Sequence, residues 1–141
     1  LGSYPSVLSI KAGEYYANPR NMFWTIMEKI LSIPQTLSYE ERVSHLLAHN
    51  VGLWDVYASC SRENSADAEI KNPVPNDIQT LIEDHPDLQV IFLNGREAEK
   101  GFKNFYPDVS IETKYLPSSS PAHAVRLEIK IEKWREIADY L

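Results

Sequence analysis

The sequence predicts an α/β sandwich built on a mainly parallel sheet, and two observations lead there. Short apolar runs bounded by turn residues recur at 51–56, 90–93 and 111–116, and segments with apolar residues at helical spacing alternate with them. Such alternation is the pattern of strand–helix units laid side by side. The length of 141 residues, 43% of them hydrophobic and 24% charged, suits one domain with one core.

Taken in order, Leu1 to Gly13 reads as a loop leaving a strand, punctuated by Gly2, Pro5 and Gly13. The opening Leu1-Gly2-Ser3 has the character of a strand end, as in a fragment that lacks its first strand residues. Asn21 is suited to capping a helix that runs to about Leu31, with Phe23, Ile26, Met27 and Ile30 on one face. Pro34 ends that region. Ser38-Tyr39-Glu40-Glu41 is a capping box, so a second helix is expected to about His49, with Val43, Leu46 and Leu47 as its apolar stripe. Val51 to Val56 reads as a buried strand. Ala58 to Pro75 reads as a long polar loop, of a length that often carries function. A helix is expected from Asn76 to about Asp84, with Asn76 and Gln79 as its cap signal. Val90 to Leu93 is a second buried strand, closed by Asn94-Gly95, and a helix follows to about Phe105. Ile111 to Leu116 alternates as a strand. The final helix, about Val125 to Tyr140, carries Leu127, Ile131, Trp134, Ile137 and Leu141 at helical spacing. Ligands of such sheets bind beyond the carboxyl ends of the strands. The loops after Leu1, Val56, Leu93 and Leu116 are therefore expected on one edge.

Composition narrows the function. Cys60 is the only cysteine, which excludes an internal disulfide and a cysteine-rich zinc site and fits a reducing cytoplasm. Without a base partner in the sequence, Cys60 reads as a small buried side chain rather than a nucleophile. His45 and His49 stand four apart on one expected helix, but no His-Glu-x-x-His pattern or ligand carboxylate accompanies them, so no metal is expected. No apolar run is long enough to span a bilayer. The formal net charge of −6, with a pI of about 5.2, argues against long non-specific tracking along DNA. It leaves room for a small local contact. Nothing suggests an obligate dimer, and a monomer is expected.

Two runs stand out. Tyr15-Tyr16-Ala17-Asn18-Pro19-Arg20-Asn21-Met22-Phe23-Trp24 packs aromatic pairs, a proline and two amides where a loop opens into a helix. Leu116-Pro117-Ser118-Ser119-Ser120-Pro121-Ala122-His123 lies near the other end. Aromatic faces stack on planar ligands, and amides orient water or read heteroatoms. Together the runs suggest one site, built from two loops, that grips a flipped-out nucleobase.

The order of Gly2-Ser3-Tyr4-Pro5, Tyr16 to Trp24, and Leu116 to Ala122 resembles the uracil-DNA glycosylase superfamily. Leu53-Trp54-Asp55-Val56 and Ala58-Ser59-Cys60-Ser61-Arg62 are similar to its hypoxanthine-DNA (deoxyinosine) glycosylase branch, so the resemblance covers nearly the whole chain. It implies a three-layer α/β/α fold with a central mainly parallel sheet, spanning residues 1–141 as one domain. It also implies hydrolysis of the N-glycosidic bond of deaminated bases in base-excision repair, with no metal or redox cofactor. Mismatch-specific uracil glycosylases carry a catalytic Asn where this chain has Tyr4. In the hypoxanthine branch an Asn just before the Phe-Trp pair is implied to take that role, here Asn21. Deoxyinosine is therefore expected ahead of uracil.

The resemblance assigns roles, and each has a plainer alternative. Asn21 would hold the attacking water by positioning and electrostatics, and it also fits a helix cap. Tyr16 would stack on the extruded base, or sit as a core aromatic beside Tyr15. Asp55 would accept from the N1–H of hypoxanthine or the N3–H of uracil, where adenine would offer only an acceptor. It would otherwise cap the Val56 loop or pair with Arg62. Gly2, Ser3 and Tyr4 belong to the first loop, whose backbone N–H groups would bond a base oxygen; Gly-x-x-Pro alone is a turn. Ser118, Ser119 and Ser120 would touch DNA without adding charge, or form a polar turn in which Ser120 caps a helix starting at Pro121. His123 would reach a phosphate or the sugar, or lie on the surface. Asn94 would line the site edge, and Arg62 would contact a phosphate. A base-binding relative without chemistry and an enzyme of free nucleosides are the competing functions.

Overall fold

The computed structural model describes residues 1–61 and 70–141. Its elements in chain order are α1 (Val7–Ala12), α2 (Phe23–Leu31), α3 (Tyr39–Ala48), β1 (Tyr57–Ser61), β2 (Lys71–Pro75), α4 (Ile78–Asp84), β3 (Val90–Asn94), α5 (Arg96–Phe105), β4 (Glu112–Leu116) and α6 (Leu127–Trp134), followed by a 3-10 helix at Arg135–Tyr140. The fold is mixed α/β, as the alternation predicts.

The described strands form two pairs. β3 and β4 run parallel, with Val90 opposite Glu112 and Asn94 opposite Leu116. β1 and β2 are antiparallel with an irregular register. Residues 1–3 lie between the pairs and bond to both. Gly2 N donates to Trp54 O, Val56 N donates to Gly2 O and Tyr57 N donates to Ser3 O. On the other side Leu1 N donates to Phe92 O and Asn94 N donates to Leu1 O.

Two apolar clusters flank β3. Ile91 and Leu93 pack with Val56, Tyr57, Ile78, Ala98 and Phe102, which brings in α4 and α5. Phe92 points the other way, against a cluster containing Phe23, Ile26, Met27, Leu46, Leu116 and Trp134. Successive strand side chains face opposite sides, so a short apolar run serves both clusters.

Several boundaries differ from the sequence expectation. Residues 51–54 are not a strand; the chain pairs at Asp55 with Gly2 and becomes β1 only at Tyr57. The expected polar loop from Ala58 to Pro75 includes β1 and β2, a hairpin whose side chains are mostly exposed or half-buried and therefore polar in sequence. Pro73 and Pro75 suit such an outlying strand, where a missing N–H costs little. Cys60 on β1 is half-buried rather than buried. Arg62 lies outside the described residues.

Helix α1 occupies what reads as loop. Ser6 caps it by accepting from Ser9 N, and Gly13 ends it in the left-handed region at φ 66°. Its six residues bury only Ser9, so no apolar stripe announces it. The capping box of α3 is present in full. α4 is capped by Asp77, which accepts from Thr80 N, rather than by Asn76. Residues 121–123 form a turn, and α6 begins at Leu127 with no side-chain cap. No helix among the described residues is long and apolar enough to cross a membrane.

Candidate nucleobase site

The segment from Tyr15 to Phe23 is held by elements distant in sequence. Ser9 on α1 accepts from Ala17 N at 3.1 Å through Oγ and from Glu14 N at 3.1 Å through its carbonyl. Tyr15 N donates to the Tyr39 hydroxyl at 3.0 Å, and Trp24 Nε1 donates to Tyr15 O at 3.2 Å. Between these ties Tyr16 adopts φ 57°. The other positive-φ non-glycine residues described are Ser32, Asn50 and Asn72, of types or positions that tolerate it. A tyrosine there is strained by about 1–3 kcal/mol, and strain of this kind collects at functional sites. The Tyr16 ring stacks on Phe23, with centroids 4.1 Å apart and planes at 22°.

Asn21 precedes α2 but is not its N-cap; that position is Met22, which makes no side-chain cap bond, so Asn21 instead closes a tight turn ahead of the helix. Its Oδ1 accepts from Phe23 N at 2.9 Å. An amide oxygen has two lone pairs, so this bond leaves acceptor capacity for a water. Met22 N, one residue on, donates to Ser119 O at 2.9 Å, which joins the two distinctive runs directly.

Asn94 is the hub that sequence reasoning placed only at the edge. Its Oδ1 accepts from Ser119 N at 3.0 Å, while Nδ2 donates to Ser119 Oγ at 3.0 Å and to the Tyr16 hydroxyl at 3.1 Å. Ser119 is fully buried and turned inward. The outer part of the serine loop is thus Ser118, Ser120 and His123, all half-buried. Ser118 Oγ accepts from Ser120 N, and Ser120 Oγ from Ala122 N. Gly95, at φ 96°, lets Ser118 approach; a Cβ there would lie 3.0 Å from Ser118 Cβ. Beneath the loop, the fully buried Lys130 donates through Nζ to Ser120 O at 3.2 Å.

Asp55 is 8% exposed, and its carboxylate lies beside Gly2. Its backbone carbonyl accepts from Asn76 Nδ2 at 2.8 Å, the use the structure finds for the expected cap residue. Asp55 and Tyr16 both approach Gly2: a Cβ there would lie 2.8 Å from Asp55 Oδ1 and 3.4 Å from the Tyr16 hydroxyl. The Gly2 N–H is committed to Trp54 O, so at this position it is the missing side chain that shapes the site. Burial first, and then the nearby Asp55 charge and Tyr39, push the Tyr15 phenol well above its ordinary range.

Not every expected residue converges. Ser3 is buried, with its carbonyl accepting from Tyr57 N. Tyr4 packs against the cluster of Val56, Ile78 and Leu93. Two surface hollows lie elsewhere. One of about 330 Å³ is lined by Phe102, Tyr106, Val109 and Ile111, and one of about 170 Å³ by Tyr15, Tyr39, Val43 and Leu53, among others. Neither is lined by Tyr16, Asn21, Asp55 or Ser118. No group of three or more metal-ligating side chains occurs among the described residues.

Known proteins are similar to this chain along nearly its whole length. The family model described as the uracil DNA glycosylase superfamily matches residues 1–141. A protein of Methanosarcina acetivorans named hypoxanthine DNA glycosylase is 36% identical over 138 residues, covering 97% of this chain and 87% of its own length. A protein of the same name from Methanosarcina barkeri is 32% identical over 137 residues, covering 96% and 86%. A solution NMR structure from Methanosarcina acetivorans, of a candidate uracil DNA glycosylase, superposes with a TM-score of 0.84 at 36% identity, covering 97% of this chain and 85% of that one. The chain belongs to the uracil DNA glycosylase superfamily.

Proposed function

We propose that this protein is a monofunctional DNA glycosylase that releases deaminated bases from DNA, hypoxanthine first and uracil as a further substrate. One observation carries the reading. The two runs that look suited to a nucleobase meet through Met22, Ser119, Asn94 and Tyr16, although about a hundred residues separate them. The names of the two relatives point to the same substrate.

In this mechanism the lesion nucleotide leaves the duplex, where its weaker pairing lowers the cost of unstacking. Phe23 covers one face of the Tyr16 ring, so the base rests against the other. Asp55 accepts the N1–H that hypoxanthine has and adenine lacks. The C1′–N9 bond breaks with its electron pair going to the base. Water held by the second lone pair of Asn21 Oδ1 adds to C1′ and gives up one proton, which the departed base anion takes through solvent, leaving an abasic sugar and free hypoxanthine. An amide is a poor base, so Asn21 works by position and by its dipole toward the cationic sugar. Ser118, Ser120 and His123 face the DNA, while Ser119 holds their loop. A monomer is the acting species in this reading.

The same reading favours the finer architecture: residues 1–141 as one unit and a three-layer α/β/α sandwich. The bonds of residues 1–3 to both 54–57 and 92–94 support a central, mainly parallel sheet. The apolar clusters on either side of β3 support a helical layer on each face.

The test is a duplex containing one inosine, incubated with the protein and treated with alkali. Strand breakage at the inosine is expected, and Asn21→Ala is expected to slow it at least about a hundredfold. Binding of the inosine duplex without release of free base would favour a non-catalytic relative. Excision undiminished by Asn21→Ala would remove Asn21 from the mechanism.

A further inference from the structure

Asn94 satisfies three bonds with one short side chain, and the partners lie on two segments that chain connectivity keeps far apart. Its oxygen takes the Ser119 N–H, and its two amide hydrogens go to Ser119 Oγ and the Tyr16 hydroxyl. Ser119 passes the constraint on, because its carbonyl accepts from Met22 N beside Asn21. Tyr16 passes it on by stacking against Phe23, whose N–H bonds Asn21 Oδ1. Both routes from Asn94 therefore end at Asn21. The anchor is rigid: Asn94 is the last residue of β3, pairs with Leu116, and precedes Gly95, which lies against Ser118.

We infer that Asn94 is a positioning residue that sets the Tyr16 ring and the Asn21 amide in register across the nucleobase. The inference rests on the glycosylase reading above. Donor polarity matters as much as size. Asn94 Nδ2 donates to the Tyr16 oxygen, so the phenol hydrogen is directed away from Asn94. An aspartate of the same shape has no hydrogen to give when ionised. It would draw the phenol hydrogen toward itself and add a negative charge near Asp55. Protonated, it regains one donor.

The experiment measures inosine excision for wild type, Asn94→Ala and Asn94→Asp across a pH series, with thermal melts as the folding control. Asn94→Asp is expected to melt near wild type. At neutral pH its kcat is expected to fall about a hundredfold, as for a misplacement of about 1 Å, with KM within about threefold. Its rate relative to wild type is expected to recover as the pH is lowered, while Asn94→Ala shows no such recovery. Wild-type excision with an Asn94→Asp enzyme of equal kcat and the same pH profile would overturn the inference alone. Failure of both variants to fold would assign Asn94 to the scaffold and overturn it too. A wild type that excises nothing would overturn the glycosylase reading, and the inference with it.

Discussion

Tyr16 is the residue at which local preference and tertiary need conflict most openly. A left-handed tyrosine is costly, and it persists because Asn94, Phe23 and the Ser9-tethered segment over-determine it. Gly2 serves the same site by what it lacks. A methyl group there would sit 2.8 Å from Asp55 Oδ1, and the carboxylate would have to turn away from its present place. Gly2→Ala is therefore expected to slow inosine excision about tenfold or more while the melting temperature changes little. Single-turnover rates beside a thermal melt check this, and a wild-type rate would show that the Asp55 carboxylate need not be where it is. Asn21, Tyr16 and Ser118 are all readable from sequence as candidates, because aromatic, amide and proline-flanked serine runs are unusual. The hub role of Asn94 is not readable, because Asn-Gly after a strand looks like any tight turn.

At the scale of elements, close packing decides more than propensity. Helix α5 lies against β3, and its Gly101 faces the ring of Tyr57, which in turn donates to Glu97 at 2.8 Å. A Cβ on Gly101 would come within 2.8 Å of Tyr57 Cε1 and Cζ, and that ring is itself buried. Gly101→Ala is accordingly expected to destabilise by about 1–3 kcal/mol despite alanine's better helix propensity. Urea unfolding measures it; a gain in stability would mean that Tyr57 has room to move. Helix α6 contributes Lys130, whose ammonium is pushed below its ordinary pKa of 10.5 by burial. Between the lowered value and 10.5 the unfolded chain holds a proton that the folded chain has released. Stability from this group therefore rises with pH through that window. Lys130→Met is expected to lack the rise, so the melting-temperature difference between wild type and variant should change across the alkaline range. Parallel curves would contradict it. Among elements, the α3 capping box and the β3 and β4 runs are legible because their signals are local. Helix α1 and the β1–β2 hairpin are not, since neither buries an apolar stripe.

Across the whole molecule the charge is −6, so attraction to DNA must come from a few cations near the site. Arg20, Arg96 and Arg126 are exposed on or beside the segments that build it. Three phosphate contacts would give a slope of log K against log salt no steeper than about −3. Titration of an inosine duplex over a salt series tests this, and a slope of about −6 or steeper would require a larger basic face than these residues make. The sequence by itself determined the α/β class, most helix positions, the family resemblance and the two runs worth watching, because hydrophobic period, caps and unusual composition act over a few residues. Only the tertiary structure decided that Met22 meets Ser119, that Asn94 ties Tyr16 to the serine loop, that Ser119 turns inward and that Tyr4 packs on a core cluster. Those outcomes depend on hydrogen bonds between residues 25 to 97 positions apart, and no local pattern encodes them.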